Sequence, residues 1–136
     1  AVNLASRIEG LTKFYGVQCL ISESVYHGLS EPDKYLIRFI DKVKVKGKTV
    51  PVDIYEMYSV NAPEIQARKR HTQKTFEEAT RLYAVRDFDR AKAKFQEVLE
   101  ALPEDLASKS YILRCDRYAS EDLPANWDGA LDFDFK

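Results

Sequence analysis

The residues of this chain that could do chemistry are few, and two of them stand four positions apart near its start. Asn3 and Arg7 lie in a segment with a helical pattern, so the amide and the guanidinium project from the same side of that helix. A guanidinium is planar and always charged, which suits contact with phosphoryl oxygens. From the residues alone, the alternative is an ordinary solvated edge of a helix.

Metal-ligand patterns are missing from the sequence. Cys19 and Cys115 are far apart, and His27 and His71 are equally isolated, whereas a zinc site needs a cluster of such ligands. We therefore expect two free thiols, as in a reducing compartment, and no metal bound by this chain.

Composition excludes several functional classes. The 136 residues are 45% hydrophobic and carry a net charge of −1, as expected for a globular protein without a bias towards nucleic acid or anionic lipid. The lysines of residues 42–46 and the basic run 68–71 lack interleaved aromatic residues, which disfavours nucleic-acid binding. No apolar run is long enough for a membrane span and no signal peptide is visible. We expect a cytoplasmic location, with any membrane anchor of a longer parent protein outside this sequence.

The elements that must position Asn3 and Arg7 follow from periodicity. A helix is predicted from Val2 to Tyr15, then a strand over residues 17–21 and a short helix capped by Ser22. Residues 35–46 and 49–58 form a predicted β-hairpin around Gly47. Because Pro51 has no N–H to donate, we predict that the second hairpin strand lies at a sheet edge, or that its nitrogen faces away from the ladder.

The rest of the chain is predominantly helical. We predict a linker or the polar start of a helix before residue 73, helices over 73–85 and 90–101, and a third from about Asp105 to Ser120. In the tail, Trp127 is expected to pack as an anchor, ahead of a strand-like end at residues 131–135. The predicted boundaries are 1–60 for an α+β part, 61–72 for the linker, 73–120 for the helices and 121–136 for the tail.

Residues 1–58 resemble the C-terminal part of class III adenylate and guanylate cyclase domains. The resemblance is carried by Val-Asn-Leu-Ala-Ser-Arg at positions 2–7 and by the Val-Lys-Gly-Lys hairpin at positions 45–48. It implies a ferredoxin-like α+β fold made of helix, strand, helix and β-hairpin. Because the chain opens directly on a helical pattern without an initiator methionine, we expect a fragment of a longer protein, with the fragment inactive alone.

The resemblance also implies roles for three residues. The asparagine equivalent to Asn3 positions the ribose of a nucleoside triphosphate, and the arginine equivalent to Arg7 contacts the phosphoryl group as the 3′-hydroxyl attacks. Lys46 matches a lysine that contacts the outgoing phosphates, although a charged residue blunting an exposed hairpin is the alternative. The implied product is a 3′,5′-cyclic purine nucleotide with pyrophosphate, and ATP is preferred over GTP as the expected substrate.

The same family holds Mg or Mn ions on aspartates of the half-domain that this sequence lacks. It also works as a homodimer, so this chain would supply only the transition-state residues of a composite site. A missing half-sheet predicts an exposed edge and dimerisation. The competing hypothesis is a non-enzymatic interaction module built on the helices.

Residues 86–103 are similar to the later part of a tetratricopeptide unit, through Arg-Asp-Phe-Asp-Arg-Ala at 86–91 and then Phe95 and Pro103. Glu78 and Thr75 depart from that pattern. One such unit cannot bury a continuous core alone, so we expect it to dock on the rest of the protein or on a protein partner. The Trp-Asp-Gly tail is similar to tails of bacterial cyclases that carry such helices.

Overall fold

The computed structural model describes residues 4–45 and 50–133. Its fold is α+β, as predicted, with one four-stranded mixed sheet and several helices. Two compact units are distinguished. The α+β unit takes the chain up to Gln66 together with the segment from Ala130, and the helical unit takes Ala67–Gly129.

The α+β unit contains three short helices and the whole sheet. Its helices are α1 (Leu4–Glu9), α2 (Thr12–Tyr15) and α3 (Glu23–Gly28), and its strands are β1 (Leu20–Ser22), β2 (Ile37–Val45), β3 (Val52–Met57) and β4 (Leu131–Phe133). The sheet order is β1-β3-β2-β4. Neighbouring strands are antiparallel except β2 and β4, which are parallel.

The first predicted helix is interrupted at Gly10 and Leu11, and two helices take its place. The end at Gly16 is as predicted, with a φ of 65° that glycine adopts at little cost. The cap of α3 is also confirmed, because the Ser22 hydroxyl accepts a hydrogen bond from the Val25 N–H at 3.3 Å. β1 starts later than predicted, since Leu20–Ser22 is the stretch that pairs with β3.

The predicted hairpin strands are present, and the turn between them lies outside the described residues. The edge position predicted for the second strand is wrong, because β3 lies between β1 and β2. Pro51 precedes Val52, the first residue of β3, so its missing N–H interrupts no pairing.

One face of the sheet forms the core of the α+β unit. Ile8, Leu11 and Tyr15 of the helical segment are buried, as are the inward residues of the sheet, among them Ile40, Val43 and Ile54. The burial of these side chains is the main force that fixes α1 and α2 in this unit.

The helical unit is built from α4 (Pro63–Ala84), α5 (Phe88–Ala101) and α6 (Leu106–Ala119), with only the residues of α4 from Ala67 onwards belonging to it. Of the two alternatives for the segment before residue 73, the structure shows the start of a helix. The core of the helical unit is aromatic. The rings of Phe95 and Tyr111 are stacked with their centres 4.6 Å apart, and the centre of the Phe76 ring lies 5.6 Å from that of Phe95. Among the described residues, no helix has the length and apolar character needed to cross a bilayer.

Both cysteines are free thiols, as predicted. Burial raises the pKa of the Cys115 thiol to about 11, and burial followed by the charge of Glu56 raises that of Cys19. At pH 8 both thiols are therefore protonated, and Cys115 is also inaccessible.

We expect a thiol reagent at pH 8 to modify the half-buried Cys19 slowly, and Cys115 only when the helical unit opens. Raising the pH to 9.5 accelerates the reaction of Cys19 because its thiolate fraction rises. The check is labelling at both pH values followed by peptide mass spectrometry, with the denatured chain as the reference for full reactivity. Labelling of Cys115 as fast as in denaturant would contradict its burial.

Candidate functional site

Arg7 lies in the last turn of α1 and is half-buried. Its neighbour Ile8 is only 1% exposed, so an apolar side chain fixes this turn of the helix next to Arg7. Arg7 also interacts within the described structure. A guanidinium held in this way loses less rotational freedom when it contacts a phosphoryl group than one on a free surface.

The other two predicted site residues, Asn3 and Lys46, lie outside the described residues. In the sequence Asn3 directly precedes α1, and Lys46 directly follows β2. The structure therefore describes one of the three predicted site residues, and both the role of Arg7 and its proximity to Asn3 and Lys46 stay predictions.

A cleft of about 360 Å³ opens beside α1, between the α1–α2 segment, β1 and α3. Ile8, Glu9 and Thr12 line it from the helical side, and Gln18 through Ser22 line it from the strand side. Arg7 precedes two of these lining residues, so α1 presents both the guanidinium and one wall of a concave surface.

The sheet also carries a buried ion pair that the sequence analysis did not predict. Nε of Arg38 lies 2.7 Å from Oε1 of Glu56, and both side chains are 0% exposed. The two residues are opposite each other on β2 and β3. The available signal was the position of Glu56 two residues after the buried Ile54, in phase with it along β3.

A second buried contact fixes α2 on β2. The Tyr15 hydroxyl donates a hydrogen bond to Oδ2 of Asp41 at 2.7 Å, and Oδ1 of the same carboxylate accepts one from the Lys42 N–H at 2.8 Å. Tyr15 is 0% exposed and Asp41 is 1% exposed. Charge-assisted hydrogen bonds of this kind are strong and directional, so they fix the orientation of α2 and, through it, of α1.

The opposite face of the sheet bears half-buried aromatic rings. Tyr26 of α3 stacks on Tyr55 of β3 at 4.3 Å, and Phe39 of β2 meets Tyr55 edge-on at 5.8 Å. Nearby, burial raises the pKa of Asp53 most, Glu23 and Asp41 add to the rise, and Lys42 and His27 oppose it.

Acidic and thiol groups in the described part of the chain do not form a metal centre. No three His, Cys, Asp or Glu side chains there are grouped so that they could hold an ion. Arg7 gives α1 a positively charged edge near the cleft. Such an edge can contact an anionic group, but it does not form a site for a divalent metal.

Comparison with known proteins finds three relatives, each named as an adenylate cyclase. The chain is 60% identical over 58 residues to an adenylate cyclase of Anabaena cylindrica, an alignment covering 42% of this chain and 12% of that protein. It is 39% identical over 59 residues to adenylate cyclase 1 of Rhizobium meliloti, covering 43% and 9% of the two chains. The chain is therefore related to adenylate cyclases.

A third relative matches over a longer stretch. The terminal-differentiation specific adenylate cyclase of Dictyostelium discoideum is 34% identical over 116 residues, which are 85% of this chain and 6% of that protein. The chain spans only 6% to 12% of the length of these curated relatives. It matches no protein-family model and no solved structure.

Proposed function

We propose that this chain is the C-terminal part of a class III cyclase domain with a helical appendage, and that the longer protein converts ATP to 3′,5′-cyclic AMP and pyrophosphate. The observation that carries the proposal is the 60% identity over 58 residues to an adenylate cyclase. In the segment that carries the family resemblance, Arg7 is a half-buried residue of α1, and the next two residues of α1 line a cleft.

In the proposed mechanism Arg7 acts on the transition state. When the 3′-hydroxyl attacks the α-phosphorus, the bond to pyrophosphate breaks and negative charge grows on the phosphoryl oxygens. A guanidinium already positioned beside them stabilises that charge at little reorganisation cost. Asn3 would position the ribose by hydrogen bonding through its amide, and Lys46 would neutralise the outgoing pyrophosphate.

The described residues do not fit a metal site, so the Mg or Mn ions of such a reaction would be held elsewhere in the longer protein. We propose that a second copy of the protein supplies the metal-binding half and that the active unit is a homodimer. The isolated chain would then be inactive. Its site of action would be the cytoplasm, where nucleoside triphosphates are available.

We also propose a ferredoxin-like relationship for the α+β unit and a tetratricopeptide-like one for the helices. The four-stranded sheet with helices against one face supports the first. Support for the second comes from Ala79 and Ala91, which are both 0% exposed, as expected where two helices approach closely. The 116-residue alignment is longer than either unit, so a cyclase of Dictyostelium shares sequence with both.

The test is a product assay. The full-length protein, incubated with ATP and Mg or Mn, is expected to form cyclic AMP and pyrophosphate in equal amounts, with GTP as the parallel substrate. The isolated 136-residue chain is expected to form neither. Absence of both cyclic nucleotides with either metal would refute the assignment.

The alternative function is a non-enzymatic interaction module. It is favoured by a polar cleft of about 520 Å³ in the helical unit, lined by residues of α4 and α5 that include His71, Glu97 and Glu100. A full-length protein that lacked cyclase activity but retained a folded helical unit would support this alternative.

A further inference from the structure

β4, the last strand of the α+β unit, contacts two elements that lie near the predicted phosphate-binding residues. These elements are β2, which precedes Lys46, and α2, which follows the helix that carries Arg7. β4 pairs in parallel with the end of β2, with Phe133 opposite Val45, the residue before Lys46 in the sequence. The Phe133 ring also lies 5.0 Å from the ring of Phe14 and 6.4 Å from that of Tyr15 at the end of α2. One short strand is thus held against β2 and α2 at once.

The end of α2 is connected closely to the helix that carries Arg7. The Leu11 N–H donates to the Ile8 carbonyl at 2.9 Å, and the Thr12 hydroxyl donates to the Glu9 carbonyl at 3.0 Å. These bonds leave the turn between α1 and α2 little freedom. A displacement of the aromatic end of α2 is therefore expected to move α1.

β4 has only three residues, and a strand so short has little stability of its own. The segment just before it is held in the helical unit by Trp127. The Trp127 ring lies 5.4 Å from Tyr83, 5.5 Å from Tyr118 and 5.7 Å from Phe88, all in edge-on contacts. Aromatic contacts of this geometry stabilise packing beyond the area that they bury.

Arg86 and Gly129 also contribute to the packing of the Trp127 segment in the helical unit. Nη2 of Arg86 donates to the Pro124 carbonyl at 2.6 Å, and its guanidinium lies 5.4 Å from the centre of the Trp127 ring. Gly129 turns the chain with a φ of 76°, and a Cβ there would lie 3.0 Å from the Tyr83 ring.

We propose that β4 is a positioning strand for the nucleotide site, with Phe133 as the positioning residue. The proposal rests on the proposed function. β4 orders the end of β2 that leads to Lys46 and, through α2, the orientation of Arg7. Phe133 acts through these elements and not by contact with the nucleotide.

The first arm of the test measures the strand itself. In the 136-residue chain, Phe133→Ala is expected to speed amide hydrogen exchange at residues 43–45 by about tenfold, because β4 detaches more often. Exchange in β3 stays unchanged, since that strand is paired on both sides. Asp132→Asn and Leu113→Ala are the matched controls, because both side chains are exposed.

The second arm measures the reaction in the full-length protein. Phe133→Ala is expected to lower kcat about tenfold with KM for ATP within twofold of wild type, and Phe133→Leu is expected to restore most of kcat. A residue that served stability alone would not give this split between kcat and KM.

The outcomes are separable. Unchanged exchange at residues 43–45, or unchanged kcat in an enzyme that is otherwise active, would overturn the positioning role and leave the cyclase assignment intact. An inactive wild-type full-length protein would remove the proposed function, and the positioning role with it. Faster exchange together with a lower, leucine-restored kcat supports the proposal.

Discussion

Replacing Arg7 by alanine in the full-length protein is expected to lower the rate of cyclic AMP formation by about 10²–10³-fold, the usual loss when one preorganised group that stabilises transition-state charge is removed. KM for ATP should change little, because the contact strengthens only as charge develops on the phosphoryl oxygens. Folding should also survive, because Arg7 is only half-buried, whereas the next residue, Ile8, is 1% exposed and contributes to the core.

Two companion variants sharpen this experiment. Arg7→Lys keeps the charge but loses the planar fork, so it is expected to recover only part of kcat. Lys13→Ala removes an exposed cation from neighbouring α2 and is expected to leave kcat unchanged, which controls for the loss of a positive charge. If Arg7→Ala turns over like wild type in an active enzyme, Arg7 has no part in the mechanism.

The second large effect concerns stability. Replacing Glu56 by alanine leaves the Arg38 guanidinium buried without its carboxylate partner, at a site where both side chains are 0% exposed. Breaking such a pair from one side costs about 3–5 kcal/mol, a large part of the free energy of unfolding of a small domain. Urea denaturation of the 136-residue chain, followed by circular dichroism and tryptophan fluorescence, measures the change.

Two controls separate burial from pairing. The ion pair between Lys34 and Glu31 has both side chains at least 60% exposed, so Glu31→Ala is expected to change the free energy of unfolding by less than about 1 kcal/mol. The double variant Arg38→Met with Glu56→Leu removes both buried charges and is expected to recover most of the stability lost in Glu56→Ala. If Glu56→Ala were no more destabilising than Glu31→Ala, the Arg38–Glu56 pair would not be buried in solution.

Local features of this fold were predictable because local chemistry decides them. The Ser22 cap of α3, the left-handed Gly16 and the helical periodicity around Phe76 and Phe95 each depend on residues within one or two turns of chain. For the same reason the common side of Asn3 and Arg7 follows from their spacing. Because Asn3 lies outside the described residues, their common side and the distances from Arg7 to Asn3 and Lys46 stay predictions.

Non-local pairing accounts for what the sequence pattern did not reveal. The interior position of β3 depends on β1, which precedes it by about 30 residues, and the strand-like end at Leu131–Phe133 could not be matched to β2 from periodicity. Register also decided the burial of Arg38 and Glu56, since it places the two residues opposite each other, where each supplies the counter-ion of the other.

The sequence by itself thus indicated most of the segments that become helices and strands, and it predicts that Asn3 and Arg7 share one side of the first helix, because these properties come from spacing along a single segment. The tertiary structure alone decided the strand order, the inward Arg38–Glu56 pair and the contact of Phe133 with α2. Each of these requires two distant segments to meet, and burial of their shared apolar face selects which ones do.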